Sequence, residues 1–158
     1  MKILYINSLY SPLIEGGAEI SLQNGYWPYS KTKKNKISRL AWHHRDQSNE
    51  AMAEVVKVIL ITEKPDIVSC HNLAGWSAAV WKPIRKAGIP IVQVLHDLYL
   101  LCPNSNMFKN EQTCKNQCLS CKLLRSNHAE KSTQVSAVVG ISNSILQRFI
   151  DFGYFSNA

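Results

Sequence analysis

PDIVSCHNLAGWSAAVWKPIRKAGIPIVQVLH, residues 65–96, is the stretch whose reading decides how this chain folds. Ile67-Val68-Ser69-Cys70 is a short apolar run behind a proline, which predicts a buried strand. Trp76, Ala79, Val80, Ile84 and Ala87 then recur at helical spacing and stop at Gly88. A helix is expected there, with Pro83 inside it to kink it or free a carbonyl. Ile89 to Leu95, interrupted by Pro90, returns to strand character. Strand, helix and strand with short loops describe parallel strands joined by a helical crossover. Each strand runs straight into a histidine, His71 and His96.

The same rhythm extends outward. Lys2 to Ile6 reads as a first strand, followed by Pro12 and by Gly16-Gly17 at the opening of a helical turn. Gly25, Pro28 and a lysine run oppose any helix beyond Gln23, so residues 24–40 read as irregular, long for a compact domain. Order returns at Ser48, where Ala51, Met52, Val55, Val56, Ile59 and Leu60 give an apolar helix face that Pro65 ends. Residues 97–131 break the alternation. Val135 to Ile141 is a last strand, and Ser142 or Asn143 caps a helix that presents Ile145, Leu146, Phe149 and Ile150 and ends at Gly153. The expectation is one α/β domain over 1–158, a Rossmann-like three-layer parallel sheet. Its strands fall near 2–6, 67–70, 91–95 and 137–141, and a cysteine-bearing excursion occupies about 97–131.

Composition narrows the classes. With 158 residues, 46% hydrophobic and 18% charged, the chain is too apolar for a disordered tail and too mixed for a fibre. No apolar run is long enough for a bilayer span, and the amino terminus reads as a strand rather than a signal peptide, so a cytoplasmic address is expected. The net charge is +7, and Lys31, Lys33, Lys34, Lys36, Arg39 and Arg45 form a basic cluster. A solvated loop and helix face is the first reading of that cluster, an anionic membrane or phosphate surface the second. Nucleic acid is not an expected partner, because no aromatic-laced basic groove accompanies it.

Three polar loops would converge at one sheet edge. Gly16-Gly17 lies in the first strand-to-helix crossover, where open α/β sheets bind ligands and a backbone without Cβ can approach a phosphate. The dinucleotide and P-loop fingerprints are absent. His71 and His96 leave the second and third strands at that same edge, with Asn72 and Asp97 beside them as ligand contacts. His96 is the candidate catalytic group, able to bond a hydroxyl, stabilise charge or move a proton. Neighbours on an extended strand point apart, so Asp97 need not orient it. His43-His44 and His128 are expected in solvent-facing or capping roles.

Cys70 reads as an inert core thiol. The other four cysteines follow C-x11-C-x3-C-x2-C at Cys102, Cys114, Cys118 and Cys121. Structural zinc, reduced thiols and disulfides are the alternatives, in that order. No catalytic cofactor is expected.

Taken together, the segments KILYINSLYSPLIEGGAE (2–19), EKPDIVSCHNLAG (63–75), GIPIVQVLHDLYLLCP (88–103) and VVGISNSILQRFIDFGY (138–154) resemble the amino-terminal domain of retaining GT-B glycosyltransferases, glycosyltransferase family 4. The resemblance implies sugar transfer from a nucleotide donor to a glycan or lipid-linked acceptor hydroxyl. It places Gly16 and Gly17 by the donor phosphates and His96 at the transferred sugar. It also implies enzymes that work at the inner face of the membrane, with peripheral contact. Two departures follow. Helix and strand material normally found after the glycine pair is missing beyond Gln23, which would expose a sheet edge and favour a homo-oligomer formed by element exchange. The carboxyl-terminal nucleotide-sugar-binding domain is also absent, so the half domain is expected to be inactive alone. The alternative is a non-catalytic α/β binding or interaction module.

Overall fold

The structure is a computed structural model that describes residues 1–7 and 36–158. Gly16-Gly17, Lys31, Lys33, Lys34 and the segment after Gln23 lie outside the described residues. In chain order the elements are β1 (Ile3–Ile6), α1 (Lys36–Gln47), α2 (Glu50–Glu63), β2 (Ile67–Cys70), a 3-10 turn (Ala78–Val80), α3 (Trp81–Lys86), β3 (Ile91–Leu95), β4 (Phe108–Lys109), β5 (Gln112–Thr113), α4 (Leu119–Leu124), α5 (His128–Ser132), β6 (Ala137–Gly140) and α6 (Asn143–Asp151).

Four strands form one sheet in the order β1-β2-β3-β6, and every pairing is parallel. The register sets Ile6 against Cys70, Cys70 against Gln93, and Leu95 against Gly140. The carboxyl ends of the strands are therefore level, and the loops that follow them rise from one edge. This is a Rossmann-like α/β sheet with its strands where the periodicity placed them. Each step along the order moves in the same direction. Among the described residues no strand pairs with the outer side of β1, where Tyr5 is 64% exposed, and the four strands contain no reversal of order.

The helices cover the sheet through apolar faces set by their spacing. Asn49 caps α2 by accepting the Met52 N–H at 3.4 Å, and Met52, Ala53, Val56 and Leu60 are buried. Lys64 closes the helix in a left-handed conformation at φ 45°. Ser142 caps α6 by accepting the Ile145 N–H at 3.3 Å, and Phe149 is wholly buried while Ile150 faces out. Trp81 and Ile84 anchor α3 in the core with no exposed surface.

Three expectations need correction. Residues 36–40 are not irregular but open α1. Its inward face sets the buried Asp46 beside Trp42, which packs against the core, while Ile37 and Leu40 are exposed, so hydrophobic periodicity gave no helical signal. Pro83 does not disturb a long helix, because α3 starts at Trp81. Pro83 is the third residue of α3, where the missing N–H would have no intrahelical partner anyway. His128 is neither solvent-facing nor a mere cap. It is completely buried, its ring nitrogens each 3.2 Å from a carbonyl oxygen, Leu100 for Nδ1 and Gln47 for Nε2.

Burial holds the His128 imidazole far below its ordinary range, at about 3, and the charge of Arg125 adds to the effect. The unfolded chain takes up a proton near pH 6.5 that the folded chain refuses. Stability from this site is therefore intact above about pH 6.5 and lost progressively as pH falls toward 3, by at most roughly 1.4 kcal/mol per unit. The Gln47 and Leu100 carbonyls suit a doubly protonated ring and work against burial. Urea unfolding as a function of pH should show that slope, and His128→Gln should flatten it.

Candidate functional site

The carboxyl edge of the sheet carries a chain of polar side chains. Extended backbone sends residues two apart to the same side, which sets Ser69 at the end of β2 beside His71 just after it. Ser69 Oγ lies 3.1 Å from His71 Nε2, and His71 Nδ1 lies 3.0 Å from His96 Nε2. The two imidazole planes are 26° apart with centroids at 5.3 Å. His71 is fixed from behind as well: its N–H donates to the Ile6 carbonyl at 2.8 Å, and the buried Gln93 amide donates to its carbonyl at 2.7 Å. His96 is exposed, and one of its nitrogens is committed to His71. Its Nδ1 is the nitrogen left to meet a ligand.

Asn72 and Asp97 stand next to this pair but serve their own loops. Asn72 Oδ1 accepts the Ala74 N–H at 3.0 Å, and Asp97 Oδ1 accepts the Tyr99 N–H at 2.8 Å. Both are turns in which a short polar side chain stands in for a backbone carbonyl. Burial raises the Asp97 carboxyl above its ordinary value, partly offset by the Tyr99 N–H and His96. The crevice at the pair encloses only about 10 Å³ and runs from His71 and Asn72 to His96 and Asp97. Among the described residues this crevice is a single wall, formed by the loops after β2 and β3.

Beneath these loops lies a buried knot that sequence reading missed. Asp46 Oδ1 accepts the Gly75 N–H at 2.7 Å; its Oδ2 accepts from the Tyr99 hydroxyl and, at 3.3 Å, from Arg125 Nη2. Arg125 Nε donates to the Tyr99 carbonyl at 2.9 Å, and the guanidinium sits 4.4 Å above the Tyr99 ring. Burial pushes the Asp46 carboxyl up, and Arg125, Tyr99 and Gly75 pull it back. Every oxygen contact is a donor, so the ionised form is the one the knot fits. The missed signal was an aspartate and an arginine in segments otherwise rich in exposed charge.

Cys70 is fully buried and its thiol is pushed up to about 12 by burial, which makes it inert. All five cysteines are free thiols. Cys102, Cys114, Cys118 and Cys121 line one cavity of about 380 Å³, and Cys118 Sγ is 3.3 Å from Cys121 Sγ. Among the described residues no group of three His, Cys, Asp or Glu side chains is placed to hold a metal ion. His43 shares the cavity, contrary to the solvent-facing expectation. It is half-buried, its Nδ1 has no hydrogen-bond partner, and burial with Arg125 and Arg39 lowers it to about 4. His44 is exposed, as expected.

A four-stranded parallel sheet with level strand ends, covered by helices, defines a Rossmann-like α/β domain. Comparison with known proteins makes this specific. Glycosyltransferase Family 4 matches over residues 28–157, and the chain belongs to that family. The match includes His71, His96 and the four clustered cysteines, whereas Gly16-Gly17 lies before it. An uncharacterised 42.6 kDa protein in the cps region of Klebsiella pneumoniae is 29% identical, covering 99% of this chain and 53% of its own length. The chain thus spans about half the length of this relative. The aligned stretch is 197 residues against 158 here, so the relative holds residues with no counterpart in this chain. No solved structure matches.

Coupling between the histidines is directly measurable. His71 is held below the ordinary imidazole value, first by burial and then by the neighbouring His96. Its titration midpoint, followed by nitrogen-15 NMR of the ring, should lie below 6.5 and should rise in His96→Gln, which removes the second cause.

Proposed function

We propose that this chain supplies the amino-terminal wall of a retaining GT-B glycosyltransferase cleft. Such an enzyme moves a sugar from a nucleotide donor to a glycan or lipid-linked acceptor hydroxyl. The observation that carries the reading is the His71–His96 pair at the carboxyl edge of the sheet, inside the stretch that matches Glycosyltransferase Family 4. His96 Nδ1 points a hydrogen-bonding group at the transferred sugar, while His71 fixes the ring so that no reorientation is needed when charge develops. Gly16 and Gly17 approach the donor phosphates through backbone N–H groups. Asn72 and Asp97 shape the loops that border the sugar.

The reaction needs a second wall. One open face cannot enclose a diphosphate, exclude water and orient an acceptor together. The chain alone is therefore inactive, and a carboxyl-terminal domain supplies the grip on the nucleotide. Exposed Ile37 and Leu40 beside Arg39 on α1 suit an anionic bilayer at the cytoplasmic face, where a lipid-linked acceptor would lie. Among the described residues no helix is long and apolar enough to cross that bilayer. Two chains would pair by exchanging elements at the open β1 edge. The relative's place in a cps region supports glycan synthesis as the setting.

The test is a hybrid protein in which residues 1–158 are joined to the part of the Klebsiella pneumoniae relative outside the match. Incubated with labelled nucleotide sugars and membrane lipid extract, the hybrid should transfer label and the chain alone should not. His96→Ala in the hybrid should lower kcat about 100-fold or more with the fold intact. Transfer by the chain alone, or undiminished transfer by His96→Ala, would contradict the proposal.

A further inference from the structure

Residues 103–120 form an excursion with almost no core of its own, since Met107 is the one buried residue among them. Its hairpin rests on β4 and β5, two residues each. Asn110 and Glu111, at φ 52° and 60°, make the two-residue turn usual for a hairpin, while Ser105 and Met107, at φ 62° and 47°, hold a conformation that side chains with a Cβ avoid. A segment this small and strained ordinarily needs a covalent or metal staple.

Four cysteines bracket it. Cys102 precedes the hairpin, Cys114 follows it, and Cys118 and Cys121 flank the start of α4. All four face one cavity, with Cys118 and Cys121 in sulfur contact at 3.3 Å. The half-buried His43 of α1 lines the same cavity, and its Nδ1 has no hydrogen-bond partner among the described residues. Arg39 and Lys109 also line the cavity, and their positive charge would offset the net double negative charge of a zinc tetrathiolate. Arg148 holds the site from a third side, donating to the Cys114 carbonyl and, at 2.9 Å, to that of Lys115.

We propose that Cys102, Cys114, Cys118 and Cys121 bind one zinc ion and so fasten the hairpin to α4. Binding exchanges four thiol protons for four zinc–sulfur bonds of about 2.3 Å. Such bonds set sulfur atoms roughly 3.8 Å apart in a tetrahedron, so the Cys118–Cys121 pair is already near its bound separation. Among the described residues no three of the thiols stand at ligand distance together, so binding has to draw Cys102 and Cys114 across the shared cavity toward the Cys118–Cys121 pair. His43 remains as a hydrogen-bonding neighbour of the thiolates. A disulfide between Cys118 and Cys121 would join residues of a single turn and leave the hairpin unfastened.

This inference is independent of the sugar-transfer reading. The full chain, purified without chelator, should contain about one zinc by elemental analysis. Refilled with cobalt, it should show sulfur-to-metal charge transfer and the intense visible bands of tetrahedral thiolate cobalt. Cys114→Ser should weaken both signals. Because that variant could unfold, the cobalt spectrum of the unsubstituted chain is decisive. Chelation should speed amide exchange across Phe108–Thr113 and leave β2 and β3 protected. Metal-free protein with reactive thiols, a Cys118–Cys121 disulfide, iron in place of zinc, or exchange unmoved by chelation would each overturn the proposal.

Discussion

A single carboxylate, Asp46, sits 2% exposed beneath the ligand-facing edge of the sheet, and the loops above it depend on how it is satisfied. It receives the Gly75 N–H from the loop after β2, the Tyr99 hydroxyl from the loop after β3, and the Arg125 guanidinium from the end of α4. Taking both charges out of water costs several kcal/mol, and only a full set of partners in good geometry offsets that. Removing one partner would strand the other, at about 3–5 kcal/mol. The knot therefore specifies position more than it adds stability: α1, both histidine-bearing loops and α4 must arrive together.

That constraint explains why an exposed histidine can still be held in place. His96 is on the rim, yet the loop that follows it is tied through Tyr99 to Asp46, and its ring is tied through His71 to Ser69. Below the knot, His128 and Lys131 from α5 close on the end of α1, with Lys131 donating to Ser48 Oγ at 2.9 Å. Among the described residues these ties make the histidine edge a fixed wall, which is what the proposed transfer cleft would require of each half.

Much of the frame was legible because parallel strands buried on both faces read as short apolar runs. Ile67–Cys70 and Ile91–Leu95 fell where their β-branched residues placed them, and level registers put His71 and His96 on one edge. What stayed hidden was polar and tertiary. α1 turns Asp46 inward and leaves Ile37 and Leu40 outside, which reverses the pattern that reveals a helix. His128 looked like a surface histidine because nothing local buries it; carbonyls of Leu100 and Gln47, far off in sequence, do so. The Ser69–His71 contact was within reach, since both residues share a face of one extended segment.

The central claim is that the histidine edge is one wall of a sugar-donor cleft, and the most direct measurement is a chemical-shift map of the nitrogen-15-labelled chain titrated with a panel of nucleotide sugars. The account predicts binding at about millimolar strength, with perturbations gathered at His71, Asn72, His96 and Asp97 and lost in His96→Ala. Micromolar binding would mean that a single wall is a complete site. Perturbations centred instead on the cavity beside Cys102 and Phe108 would place the donor away from the histidine edge and contradict the account.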